Sequence, residues 1–175
     1  QHLFFFRAAR DYASNEALVD YDLNDAIDSG QIETAVVGHD DESVNLRVRK
    51  TGHATIVVTF PVATYFEAHG NASDMVTRRD GWIVLEDNDW HDWSVSALML
   101  DQKRGIPGPE TRLTVNRPNT NSAIEEALNA IQVGTYTVAD SPTLYPPRIH
   151  SVAQAAVWIL NEDADYEMIE SSIAG

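Results

Sequence analysis

The sequence predicts an α+β domain, an antiparallel, immunoglobulin-like β-sandwich with C-terminal helices packed on it. Three observations carry this expectation. Apolar and polar residues alternate with period two along much of the segment 32–116. Turn signals such as Thr51-Gly52-His53, Arg79-Asp80-Gly81 and Gly105-Ile106-Pro107-Gly108-Pro109 cut that segment into short pieces of the kind a sandwich uses. Beyond Asn116 the period changes to that of a helix, and two Ser-x-x-Glu/Gln patterns appear.

The elements follow in order. Residues 1–20 fit no single pattern, although Leu3-Phe4-Phe5-Phe6 suits packing or an edge strand. Asp22 to Gly30 reads as a short helix, with Asp22 as N-cap and Gly30 as the residue after its end. Ile32–Val37 is an apolar run of strand length. Val44, Leu46 and Val48 alternate with Asn45, Arg47 and Arg49. Ala54, Ile56, Val58 and Phe60 continue the alternation until Pro61, which ends the strand or places it at an edge. Val62–Phe66, Met75–Thr77, Trp82–Leu85, Trp93–Met99 and Leu113–Val115 complete the set. Trp82, Trp93 and Trp158 are expected as core anchors.

Ser122 and Glu125 form a capping box before a stripe of Ile124, Leu128 and Ile131, which Gly134 should close. After a Pro-rich loop, Ser151 and Gln154 form a second box before Ala155, Ala156, Trp158, Ile159 and Leu160. Asp163 is placed to cap a final helix carrying Tyr166, Ile169 and Ile173. The whole, residues 1–175, is read as one domain, with a sandwich core over 32–116 and a helical portion over 120–175.

Charge sets the class of partner. The net charge is −15, with two lysines against ten arginines. Such a chain repels itself in dilute buffer. At about 1 M salt the Debye length is about 3 Å and the repulsion is largely screened. The composition resembles that of proteins from salt-loving archaea and bacteria. Nucleic acid is excluded as a partner, because Arg47/Arg49/Lys50, Arg78/Arg79 and Lys103/Arg104 are short basic groups isolated among acids. Membrane insertion is excluded because no apolar run approaches the length of a span. Without cysteine, disulfides and thiolate chemistry are closed to the chain.

The densest polar cluster is Asp87-Asn88-Asp89-Trp90-His91-Asp92. Asp87, Asp89 and Asp92 offer hard oxygen ligands for a calcium ion, and no other cofactor is expected. Trp90 and His91 are the candidate ligand-binding pair, and the indoles of Trp90 and Trp93 are of the kind that stacks on a sugar face. The EF-hand pattern fails here, because its Gly and its distal Glu are missing. His39-Asp40-Asp41-Glu42 reads as a solvated turn, and His53, His69 and His150 show no metal-binding spacing. No nucleophile elbow or phosphate loop occurs. Asn71-Ala72-Ser73 is an N-glycosylation sequon, with Asn71 as acceptor.

The stretch Val152-Ala153-Gln154-Ala155-Ala156-Val157-Trp158 resembles the Q-A-A-I/V-W helix of bacterial surface thioester domains. The cross-link of that family needs a cysteine, so its chemistry does not carry over. The strands from Ser43 to Phe66, Met75-Val76, the Gly-Ile-Pro-Gly loop and this helix together resemble a widespread secreted β-sandwich module. That likeness implies a sandwich followed by helices in an extracytoplasmic setting, and it supplies no catalytic residues.

Three functional expectations follow. The first is a non-enzymatic binding or structural module of a secreted or cell-surface protein from a halophile, meeting a protein or glycan partner. The second is a polysaccharide-acting hydrolase using carboxylates near Asp87–Asp92. The third is a cytoplasmic accessory domain of an organism that accumulates salt.

Overall fold

The computed structural model describes residues 18–117, 122–138 and 146–162. The expected strand at Leu3–Phe6 and the expected helix after Asp163 lie outside them. In chain order the elements are β1 (Val19–Asp22), α1 (Leu23–Asp28), β2 (Ile32–Gly38), β3 (Ser43–Lys50), β4 (Ile56–Phe60), β5 (Tyr65–Ala68), β6 (Met75–Thr77), β7 (Gly81–Leu85), β8 (His91–Met99), β9 (Arg112–Asn116), α2 (Ser122–Val138) and α3 (Pro146–Glu162).

The immunoglobulin-like sandwich is corrected here. Six strands close into an antiparallel barrel in the order β2-β3-β8-β6-β5-β9, and the other three form a separate sheet, β1-β4-β7. Closure comes from β9, which pairs with β2 on one side and with β5 on the other. Period-two alternation specifies which side chains face inward. It is silent on whether the last strand returns to the first, because a barrel and a sandwich bury the same alternate residues. β1 runs parallel to β4, and β7 antiparallel to it.

The core follows from that alternation. Val44, Leu46 and Val48 are fully buried and share one core with Phe66, Met75, Val95, Val115 and, from the small sheet, Ile56, Val58, Phe60 and Leu85. Helix α1 adds Leu23 and Ala26 to it. As expected, Asp22 caps α1 by accepting the Asn24 amide at 2.9 Å, and Gly30 takes the left-handed backbone after it, with φ +69°.

A second core lies against the outer side of β6 and β8. Val76, Leu98 and Leu100 meet Ile124 and Leu128 of α2 and Ala153 and Val157 of α3. Successive residues of a strand face opposite ways. Met75 and Met99 therefore enter the first core while Val76 and Leu98 enter the second.

The C-terminal helices depart from expectation in detail. Helix α2 passes through Gly134 to Val138. Helix α3 begins at Pro146, a first-turn position where proline's missing N–H is no loss. Ser151 and Gln154 are therefore interior to α3 and form no capping box. The buried Gln154 side chain instead works on β8. Its Oε1 accepts the Met99 amide at 2.9 Å and its Nε2 donates to the Met99 carbonyl at 2.7 Å. Two turns further on, Asn161 Nδ2 donates to the Leu100 carbonyl at 2.8 Å. The helix thus supplies hydrogen bonds that an adjacent strand would otherwise give. Ala153 and Val157 face the sheet, while Ile159 is exposed.

The aromatic anchors are also corrected in part. Trp93 packs on Phe60 with ring centroids 4.8 Å apart. Trp82 is 50% exposed, because it sits opposite Thr59 on the outer face of the small sheet. Trp158 is only partly buried, and Val157 beside it is the core residue of that turn.

Candidate functional site

The outer face of β2-β3-β8 carries the site. Since Val44, Leu46 and Val48 point inward, Asn45, Arg47 and Arg49 point out. Register sets Arg49 beside Glu33 of β2 and Arg47 beside Asp92 of β8. Both pairs close as ion pairs. Arg49 Nη2 and Nε lie 2.6 and 2.8 Å from Glu33 Oε2, and Arg47 Nε lies 2.7 Å from Asp92 Oδ1. Trp90 immediately precedes β8. Its ring takes the Arg49 guanidinium at 4.8 Å and the Arg47 guanidinium at 5.7 Å from the centroid.

The result is a row, Glu33–Arg49–Trp90–Arg47–Asp92, on the solvent side of three paired strands. Exposed ion pairs of this kind contribute little stability. Their effect here is positional, since each carboxylate holds a guanidinium beside the indole. Trp90 keeps 37% of its surface exposed. The polar track continues along the same face to Asn45, paired in register with Ser94.

His91 parts company with Trp90. It pairs with Val48, whose side chain is buried, so it turns to the opposite side of the strand. Its Nε2 lies 2.8 Å from Asp87 Oδ1. The same Asp87 oxygen accepts the Asp89 amide at 2.9 Å. The Asp89 amide first, and His91 second, hold the Asp87 carboxyl below the ordinary carboxylate range. Asn88 Nδ2 donates to the Lys50 and Gly52 carbonyls at 3.1 Å each, fastening this turn to the end of β3.

Among the described residues no three His, Asp or Glu side chains gather to hold a metal ion. Asp87 is engaged with His91 and its own turn, and Asp92 is drawn away to Arg47 on the outer face. The predicted ligand pair is likewise divided, with Trp90 on the exposed face and His91 off it.

Asn71 is exposed in the loop after β5. Ser73, the third residue of its sequon, is fully buried. Its hydroxyl donates to the Asp74 carbonyl at 2.8 Å and accepts the Asp101 amide at 2.9 Å.

A cleft of about 420 Å³ opens elsewhere, between α1 and the ends of β5 and β9, lined by Asn24, Ile27, Asp28, Tyr65, Glu67 and Arg117 among others. Within its lining, Arg117 is engaged with Asp28 and Asn116 with Glu67. Arg117 Nη2 lies 3.0 Å from Asp25 and 2.6 Å from Asp28, and Asn116 donates to Glu67. The Tyr65 hydroxyl donates to Asp74 at 2.6 Å. Burial, and then this carboxylate, push the Tyr65 phenol well above its ordinary value. None of Asp87, Asp89 and Asp92 lines this cleft.

Sequence reasoning singled out Trp90 but missed Arg47, Arg49 and Glu33 as its neighbours. The usable signal was the outward phase of Arg47 and Arg49, which becomes informative only once β3 is set against β2 and β8. No protein-family model matches the chain, and neither a curated protein nor a solved structure matches it.

Proposed function

We propose that the chain is a non-enzymatic binding module of a secreted or cell-surface protein, and that it holds a glycan on the outer face of β2-β3-β8. The observation that carries this reading is the part-exposed Trp90 ring with two guanidinium groups over it, each oriented by its own carboxylate. An indole offers an apolar face to the C–H side of a sugar ring. Guanidinium, carboxylate, amide and hydroxyl groups within the same row meet the hydroxyls around it. The Asn71 sequon fits an exported protein.

The test is a glycan array probed with the wild-type protein and with Trp90→Ala. Signal on a defined set of glycans is expected. Trp90→Ala should weaken it at least about tenfold, or about 1.4 kcal/mol, with the circular dichroism spectrum unchanged. A silent array, or binding indifferent to Trp90, contradicts the reading. A protein ligand recovered on the same face would reassign the partner.

The salt-rich setting has its own test. With a net charge of −15, screening relieves repulsion within the folded chain, and the melting temperature should climb as KCl is raised from about 0.1 to about 1 M. A flat profile removes the halophilic reading.

A further inference from the structure

The two ends of the Asn71-Ala72-Ser73 sequon meet opposite surroundings. Asn71 is exposed, and its side chain takes no hydrogen-bond partner among the described residues. Ser73 is fully buried. Its hydroxyl is engaged twice, with the Asp74 carbonyl and with the Asp101 amide.

The backbone of the motif is fastened to the loop after β8. The Ser73 amide donates to the Gly105 carbonyl at 2.8 Å, and the Gly105 amide donates to the Asn71 carbonyl at 3.3 Å. Ala72 and Gly105 form a parallel bridge between them. Asp74 holds the next position. Its carboxylate accepts the Tyr65 hydroxyl at 2.6 Å and the Ala68 amide at 2.7 Å, and its carbonyl accepts the Leu100 amide at 2.9 Å. Exposing the Ser73 hydroxyl therefore means parting this loop from β5 and from the end of β8.

N-glycosylation needs both ends of the motif. The asparagine Nδ2 bonds to C1 of the sugar while the C1–O bond to a lipid diphosphate breaks. The diphosphate leaves with the electron pair, Nδ2 gives up one proton, and nothing is oxidised or reduced. The motif specifies Ser or Thr at its third position because the enzyme reads that hydroxyl. In the folded chain the Asn71 amide is accessible and the Ser73 hydroxyl is not.

We infer that Asn71 is glycosylated only while the chain is unfolded, and that the finished fold closes the site to the enzyme while leaving room for a glycan already attached. In the cell this rests on the exported setting proposed above. A chain that meets the lipid-diphosphate-linked donor before folding carries the glycan, and one that folds first stays bare. The attached glycan also leaves the Trp90 face clear. Trp90 precedes the first residue of β8 and Asp101 lies two residues past its last, so about 30 Å of strand separates them.

The test offers three full-length chains to a purified oligosaccharyltransferase with its lipid-diphosphate-linked oligosaccharide, and reads the mass of each product. The first is the folded wild type. The second carries Leu46→Asp, which sets a charge at a fully buried position and should unfold the chain, as circular dichroism will verify. The third carries Asn71→Gln together with Thr51→Asn and His53→Ser, which moves the sequon to positions that are both exposed in the loop after β3.

Leu46→Asp should be modified at least about tenfold faster than the wild type, whose rate waits on opening of the loop. Adding Asn71→Gln to it should abolish that modification. The third chain should be modified while folded. Equal rates for the wild type and Leu46→Asp overturn the inference, and so does a Leu46→Asp chain that stays bare. A folded third chain that stays bare takes the cause away from Ser73 and overturns it too. Glycan binding at the Trp90 face is scored on unmodified protein, so failure of one reading leaves the other standing.

Discussion

Lys50→Met is expected to destabilise the domain by roughly 1–3 kcal/mol, because it removes the charge-assisted hydrogen bonds that tie the loop after β3 to the end of that strand. Lys50 ends β3 on the inward phase shared by Val44, Leu46 and Val48, and is only 3% exposed. Its ammonium donates to the carbonyls of Gly52, His53 and Ala54 at 3.3, 3.1 and 3.2 Å. An ammonium has three protons, and each meets one carbonyl of the loop that follows. Methionine keeps most of the stem and its packing while removing all three donors. The Asn88 side chain grips the same loop through the Gly52 carbonyl, so the damage should reach the turn that presents Trp90. Lys50→Arg should recover little, since a planar fork does not fit three converging carbonyls. Urea unfolding measures the loss. A change under about 0.5 kcal/mol, no more than an ordinary surface substitution, would mean that the loop holds itself.

Gly38→Ala is the second large effect, about 3 kcal/mol, near the upper end for forcing extra volume into a packed site. Gly38 closes β2, and its amide donates to the Thr111 carbonyl at 2.9 Å. A Cβ there would lie 2.3 and 2.4 Å from the carbonyl oxygen and carbon of Pro107, and 2.7 Å from the Gly108 oxygen. All three are backbone atoms, so no side chain can rotate away. The strand or the 107–108 loop must move, and either shift loosens the seam between β2 and β9. The contrast is Gly52, where an added Cβ meets nothing within 4 Å. Gly52→Ala should unfold at nearly the wild-type urea concentration, and equal losses at the two sites would count against the close approach.

Much of the strand pattern was legible because alternation follows directly from burial of one face. Val44, Leu46 and Val48 illustrate this. Closure was not legible, since it depends on β9 meeting β2 and β5, residues far apart in the chain. Lys50 was grouped with Arg47 and Arg49 as part of a basic cluster, yet counting by twos from Val44 puts it on the core side. Ser151 and Gln154 match a capping box, but the match describes spacing only. Pro146 begins that helix a turn earlier, which frees the Gln154 amide to bind Met99. Trp82, Trp90 and Trp93 are alike in composition and differ in fate. Trp93 falls on the inward phase of β8, Trp82 on the outward phase of β7, and Trp90 just outside a strand beside Arg49. In the acidic turn, residue types suggested a metal site. The separate engagements of Asp87 and Asp92 emerge only from the pairing of β3 with β8.

Six strands make a closed barrel only if β9 meets β2 as well as β5, so that seam is the decisive place to look. Nuclear Overhauser contacts between backbone protons of β2 and β9 measure it directly. The closed barrel predicts contacts between Val36 and Leu113 and between Val37 and Arg112, alongside those joining β9 to β5 at Phe66 and Val115. A spectrum in which β9 contacts β5 but never β2 would mean an open sheet, and would contradict the account.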